Sequence, residues 1–172
     1  MNANLVRTAH SVAQSLQDSL NRSAPLPSEV TPPVDQPVLP HTLFLKSRLD
    51  IRKVVFQVNA CYNATCYDAC AVMIRRLIEV LIIEAHEHSN HGHKIKDSND
   101  NYFMLDKLIN NILDGSWNIS RTTKKGLRKL KTFGDLSAHS RRYNAQRSYV
   151  DDIIVDLRVI AEELLYLSGQ RS

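Results

Sequence analysis

In the stretch TFGDLSAHSRRYNA, residues 132–145, His139 is followed at once on its C-terminal side by Ser140, Arg141 and Arg142, and Lys131 stands just before the stretch. A histidine exchanges protons near neutral pH, and arginine or lysine holds phosphate and stabilises developing negative charge. These residue types suit cleavage of a phosphate ester, passive binding of an anion, or the solvated end of a helix. The flanks favour an anion. Between residues 121 and 147 the bases are Arg121, Lys124, Lys125, Arg128, Lys129, Lys131, Arg141, Arg142 and Arg147, and the one acid is Asp135, although the whole chain carries only +4. So uneven a distribution attracts polyanions. Lys124, Lys125, Arg128, Lys131, Arg141 and Arg142 are the binding candidates, and His139 with Arg142 is the candidate catalytic pair.

Three other clusters carry reactive side chains. HEHSNHGH supplies His86, His88, His91 and His93. Their spacing matches neither an i, i+4 helical pair nor a zinc-finger signature, so a polar connection between helices accounts for them and no metal is expected. Cys61, Cys66 and Cys70 form an odd set without a C-x-x-C pair; Cys66 and Cys70 stand one turn apart on an apolar face, where a thiol packs as a small hydrophobe. Arg75 with Glu79, and Arg76 with Glu79, have i, i+4 and i, i+3 spacing, which predicts a structural ion pair.

The elements that must position these residues read as helices throughout. SRLDIRKVVFQVNACY, residues 47–62, forms one helix. The next, about 64–87, is apolar almost all round except for Asp68, Arg75, Arg76 and Glu79, which places it at the centre of a bundle or in a subunit interface. YFMLDKLINNILDG forms a third, with Gly115 near its stop, and SRTTKKGLRKLKTFG a fourth, with Ser120 or Thr122 as N-cap. The fifth, about 148–167, places Val150, Ile153, Leu157, Ile160, Leu164 and Leu167 at alternating steps of three and four. No segment alternates as a strand does.

Before these helices, residues 1–22 have the spacing of a short amphipathic arm, and residues 23–42 hold all six prolines of the chain. Proline removes backbone donors and restricts its predecessor, so this segment reads as an extended linker and 43–170 as the helical bundle. With 172 residues, 43% of them hydrophobic, one core is within reach. Five glycines and 6% aromatics argue against an all-β chain. The most apolar run is broken by Arg75, Arg76 and Glu79, so no membrane span is expected. The N-terminus lacks the apolar run of a signal peptide, and the odd cysteine count fits a reducing cytoplasm.

CYDACAVMIRRLIEVLIIEA, IKDSNDNYFMLDKLI, SRTTKKGLRKLKTFGDLSAHSRRYNA and DLRVIAEELLYL occur in this order. In them the chain resembles the HEPN superfamily of helical bundles. Within it, the likeness is to a bacterial family of unknown function whose members occur alone or fused to restriction-type proteins. The resemblance covers about 45–168 and implies an all-α bundle of about five helices that forms a homodimer. Active HEPN ribonucleases carry an arginine, a polar residue and a histidine, paired across a two-fold axis, and cleave RNA without metal. Here His139 stands at the histidine position, Asp135 at the polar one and Gly134 where the arginine belongs.

That departure weakens a catalytic reading, because glycine has no side chain to bind phosphate. If the helix continues past His139, Arg142 at i+3 shares its face, and a rearranged site of His139, Arg142 and Lys131 results. A structural alternative has His139 and the arginines pinning helix ends through Glu162 or Glu163. The expectation is a dimeric module without catalytic activity or cofactor. It would bind RNA, a nucleotide or a protein partner in a bacterial defence or stress system, with the N-terminal arm as a possible docking element. The alternative is a metal-independent endoribonuclease using His139 with Arg142.

Overall fold

The computed structural model describes residues 37–114 and 117–170, which lie in the compact unit Asp35–Ser172. The amphipathic arm and most of the proline-rich segment fall outside the described residues, as does Gly115, expected near a helix stop. Among the described residues the protein is all-α, with six α-helices: α1 Leu49–Asn63, α2 Tyr67–His88, α3 Leu105–Leu113, α4 Arg121–His139, α5 Arg147–Asp151 and α6 Ile154–Leu167. Two short 3-10 turns, His41–Phe44 and Gly92–Ile95, complete the helical content, and one isolated bridge joins Lys96 to Tyr102. No helix among the described residues is long and apolar enough to cross a membrane.

The all-round apolar character of α2 has a direct consequence. It packs against α1, α3, α4, α5 and α6 and buries Cys70, Ala71, Ile74, Leu77, Ile78, Leu81, Ile82, Ala85 and His86. A helix with apolar residues on most of its circumference lowers its free energy most where several neighbours cover it. Asn90, in the left-handed region at φ 59°, follows its last turn, and the amide of His91 donates to the carbonyl of His86 at 2.8 Å. This left-handed closure satisfies carbonyls that the helix end would leave bare.

One expected helix is two. The pattern from Val150 to Leu167 is interrupted at Asp152 and Ile153, where the Ile153 amide reaches back only to Val150, a tighter three-residue turn. Val150, Ile153, Leu157, Ile160 and Leu164 are buried nonetheless, because the apolar stripe continues across the break. The linker also ends earlier than its prolines suggest. Val38 and Leu39 are fully buried. The Asn59 side chain both accepts from the Leu39 amide, at 3.0 Å, and donates to its carbonyl, at 2.8 Å. Arg158 donates to the carbonyls of Val38 and Pro37 at 2.9 and 2.7 Å. Proline set the backbone of this stretch, but the two apolar residues between prolines anchor it to the body.

Helix α4 lies close to its neighbours at two glycines. A Cβ built on Gly126 would collide with Ile160 Cδ1 of α6, and one on Gly134 would come within 2.7 Å of Arg75 Cβ on α2. At its start, Ser120 is the N-cap and its hydroxyl accepts from the Thr123 amide at 3.1 Å. Glu163 of α6 accepts from the Ser120 amide and hydroxyl, at 2.7 and 2.9 Å, and from the Thr123 hydroxyl. A carboxylate at a helix N-terminus is electrostatically favourable and satisfies its free donors.

Candidate functional site

Helix α4 runs to His139, beyond the expected end at Gly134, and stops there: Ser140 takes an extended ψ of 125°. Arg141 and Arg142 therefore belong to the following turn, and the i+3 relation that would set Arg142 beside His139 on one helical face does not exist. His139 is exposed, and its side chain makes no hydrogen bond or ion pair among the described residues. Glu163, considered as its partner, serves the opposite end of α4.

His139 lines an open cleft of about 650 Å³ together with Arg75, Met104, Asp106, Lys131 and Asp135. Three helices build it: α2 supplies Arg75, α3 supplies Asp106, and α4 supplies the others apart from Met104, the N-cap of α3. Because Gly134 has no side chain, the stem of Arg75 passes over it, and Arg75 Nε donates to Asp135 Oδ1 at 2.9 Å. Lys131 Nζ donates to Asp135 Oδ2 at 2.7 Å and lies 3.4 Å from Asp106. Burial alone would raise the Asp135 carboxyl, but the hydrogen bonds from Lys131 and Arg75 outweigh it and hold the group below its ordinary value. The Asp135 hydrogen bond in turn raises Lys131. Both cations that line the cleft with His139 are thus already engaged by carboxylate.

The predicted ion pair on α2 takes a different shape. Arg75 Nη1 is 3.6 Å from Glu79 Oε2, a longer contact than its bond to Asp135, while Arg76 is exposed and has no ion pair among the described residues. Sequence spacing could register only partners on the same helix. The one signal for Arg75 reaching α4 was a glycine inside that helix, where an unfavourable residue implies a steric reason.

The basic residues of 121–147 divide into two sets. Lys129 is held by Asp156 and the Asp152 carbonyl, both at 3.3 Å, and Lys131 by Asp135 and Asp106. Arg147 donates to the Tyr62 hydroxyl at 3.1 Å and sits 3.6 Å from Asp151, which Tyr62 also contacts. Arg121, Lys124, Lys125, Arg128, Arg141 and Arg142 are exposed and have no ion pair among the described residues. At 100° per residue, Arg121, Lys125, Arg128, Thr132 and His139 fall within about 60° of arc, so they line one outward ridge of α4 about 27 Å long. The cleft with Arg75 lies on one side of this ridge. On the other, between α4 and α5, a second groove is lined by the binding candidate Arg128 together with Phe133, Leu136, Tyr149 and Ile153, which the sequence had not marked as a site.

The histidine cluster disperses. His86 is buried, donates from Nδ1 to the Ile82 carbonyl at 2.9 Å and packs on Trp117 with ring centroids 4.8 Å apart. His88 lies against Gly169, and His91 and His93 belong to the connection that follows α2. No group of three or more His, Cys, Asp or Glu among the described residues is placed to hold a metal ion. The cysteines also separate. Cys66 is the exposed residue preceding α2 and does not share a buried face with Cys70. Cys70 is fully buried, and burial pushes its thiol up to about 12, which keeps it protonated and unreactive.

A family model described as a domain of unknown function, DUF4145, matches residues 56–171, from within α1 to the end of α6. No curated protein and no solved structure matches the chain. The chain belongs to the DUF4145 family.

Proposed function

We propose that this DUF4145 protein is a non-enzymatic RNA-binding module of HEPN-like build, and that the outward ridge of α4 with the Arg141–Arg142 turn is its binding face. The observation that carries the reading is the division of the bases: six exposed cations of α4 and the turn after it have no carboxylate partner among the described residues, while Arg75 and Lys131, which line the cleft with His139, do. Unpaired surface cations attract a polyanion and gain by releasing its counterions, whereas a cation already bonded to carboxylate must first give up that partner. The absence of catalysis follows from the same division. His139 has no free cation beside it in the cleft to hold a scissile phosphate, because Asp135 takes both Arg75 and Lys131.

Fluorescence anisotropy with a labelled RNA tests this. Affinity should fall steeply as salt rises, and RNA incubated with the protein in EDTA should remain intact. Absence of salt-sensitive binding would remove the binding reading. Cleavage in EDTA that is lost in His139→Ala would replace it with the metal-independent endoribonuclease, which the exposure of His139 at the cleft rim favours. The homodimer implied by the sequence resemblance is a separate part of the proposal, read by solution mass measurement.

A further inference from the structure

We propose that the groove between α4 and α5 receives an unpaired nucleobase, so that the module binds single-stranded RNA in preference to duplex. The inference rests on the α4 ridge being the polyanion-binding face and adds the class of nucleic acid it takes.

The groove measures about 470 Å³, within the range of small-ligand clefts, and runs directly beside the ridge, with which it shares Arg128 and Thr132. Its floor is apolar: Phe133 and Ile153 are buried. Leu136 and Tyr149 are each 41% exposed, so both present apolar surface to a ligand in the groove. Tyr149 is not a loose ring. It stacks on the half-buried Tyr143, with centroids 6.0 Å apart and planes at 23°, so a ligand that uses it finds the ring already oriented.

Charge complementarity selects the occupant. The neighbouring amine of Lys129 is engaged by Asp156, which leaves Arg128 as the cation at the groove without an ion-pair partner among the described residues. Lys125 and Arg121 continue from Arg128 along the ridge toward the start of α4. An aromatic ring beside an apolar floor and a row of unpaired cations is the combination that binds single strands, with bases stacked on the ring and phosphates on the cations. A duplex keeps its bases in its own stack and offers this surface only phosphates, for which Tyr149 and Leu136 have no use. A second protein filling the groove with an apolar side chain would likewise not need the ridge.

The test compares a labelled single-stranded RNA of mixed sequence with its duplex, by anisotropy at fixed salt, against the full-length chain and its Tyr149→Ala and Tyr149→Phe variants. The single strand should bind more tightly. Tyr149→Ala should weaken that binding by about 5- to 150-fold, the effect of removing one base-stacking aromatic, and leave duplex binding and the salt slope unchanged. Tyr149→Phe keeps the ring and should bind as the parent does. As a second readout, Tyr149→Trp should show fluorescence quenched by the single strand but not by the duplex. Equal affinity for both RNAs, an unaffected Tyr149→Ala, or no quenching would each overturn the base groove while leaving polyanion binding intact. Loss of salt-sensitive binding to both RNAs would instead remove the reading on which it rests.

Discussion

Arg75 Nε on α2 lies 2.9 Å from Asp135 Oδ1 on α4, and the arginine stem reaches it across Gly134. The stem of an arginine from another helix thus takes the space that a side chain at position 134 would need, and Asp135 pairs with its guanidinium. Asp135→Asn keeps the shape and removes the charge. It should raise RNA affinity by leaving Arg75 with only Glu79 and Lys131 with only Asp106 as carboxylate partners, and should lower stability by about 1–2 kcal/mol, since both cations are mostly sheltered. The carboxyl sits below its ordinary value, so its contribution is complete above about pH 4 and is lost as pH falls through the folded value. Denaturant midpoints of the parent and Asp135→Asn should therefore converge in acid.

Gly134 and Gly126 offer a comparison within one helix. Alanine ordinarily stabilises a helix interior relative to glycine, but a Cβ at Gly134 meets Arg75 Cβ at 2.7 Å, an atom fixed to the backbone of α2. At Gly126 it meets Ile160 Cδ1, the far end of a side chain that can turn. Gly134→Ala should lose about 1–3 kcal/mol and Gly126→Ala less. Gly134→Arg, which restores the motif residue expected from the HEPN resemblance, should destabilise further and create no ribonuclease. Urea unfolding and an RNA integrity assay in EDTA read both.

The unpaired and paired bases should separate in salt titrations of RNA binding. Arg141→Ala with Arg142→Ala, or Lys125→Ala with Arg128→Ala, should flatten the log–log salt slope by about 1.4, from about 0.7 per phosphate contact for a single strand. Lys129→Ala should leave the slope nearly unchanged, because that amine is already bound to Asp156.

His86 should give the fold an acid sensitivity of its own. Burial holds its imidazole below the ordinary value despite the hydrogen bond to the Ile82 carbonyl, and the charged or titratable groups around it are His91, Asp114 and Lys94. A group depressed on folding binds more protons when unfolded. Its contribution is therefore complete above the unfolded value, about pH 6.5, and is lost as pH falls through the folded one. Chemical denaturation at about pH 8 and about pH 5 should show the loss, and His86→Phe should reduce the difference between the two.

The periodicity of the chain was enough to mark the described residues as helical, although not the break at Asp152 and Ile153 or the end of α4. Ile74, Leu77, Ile78 and Leu81 mark α2 as the central element before any coordinate is known, because a helix apolar on most sides must be covered on most sides. The charge count marked the region of α4 for the same reason: composition and i, i+4 spacing are local properties, carried by the order of residues. Which cations remain available is not local. The contacts of Arg75 with Asp135, of Lys131 with Asp106 and of Lys129 with Asp156 depend on how α2, α3 and α6 pack around α4. A charged side chain reaches several ångströms to partners that lie 25 to 60 residues away in sequence, such as Asp156 for Lys129 and Asp135 for Arg75. The Tyr143–Tyr149 stack likewise arises only where the turn after α4 brings α5 alongside. The sequence alone determined where positive charge is concentrated. The tertiary structure decided which of those charges face solvent unpaired, because pairing depends on distances in space that residue order does not contain.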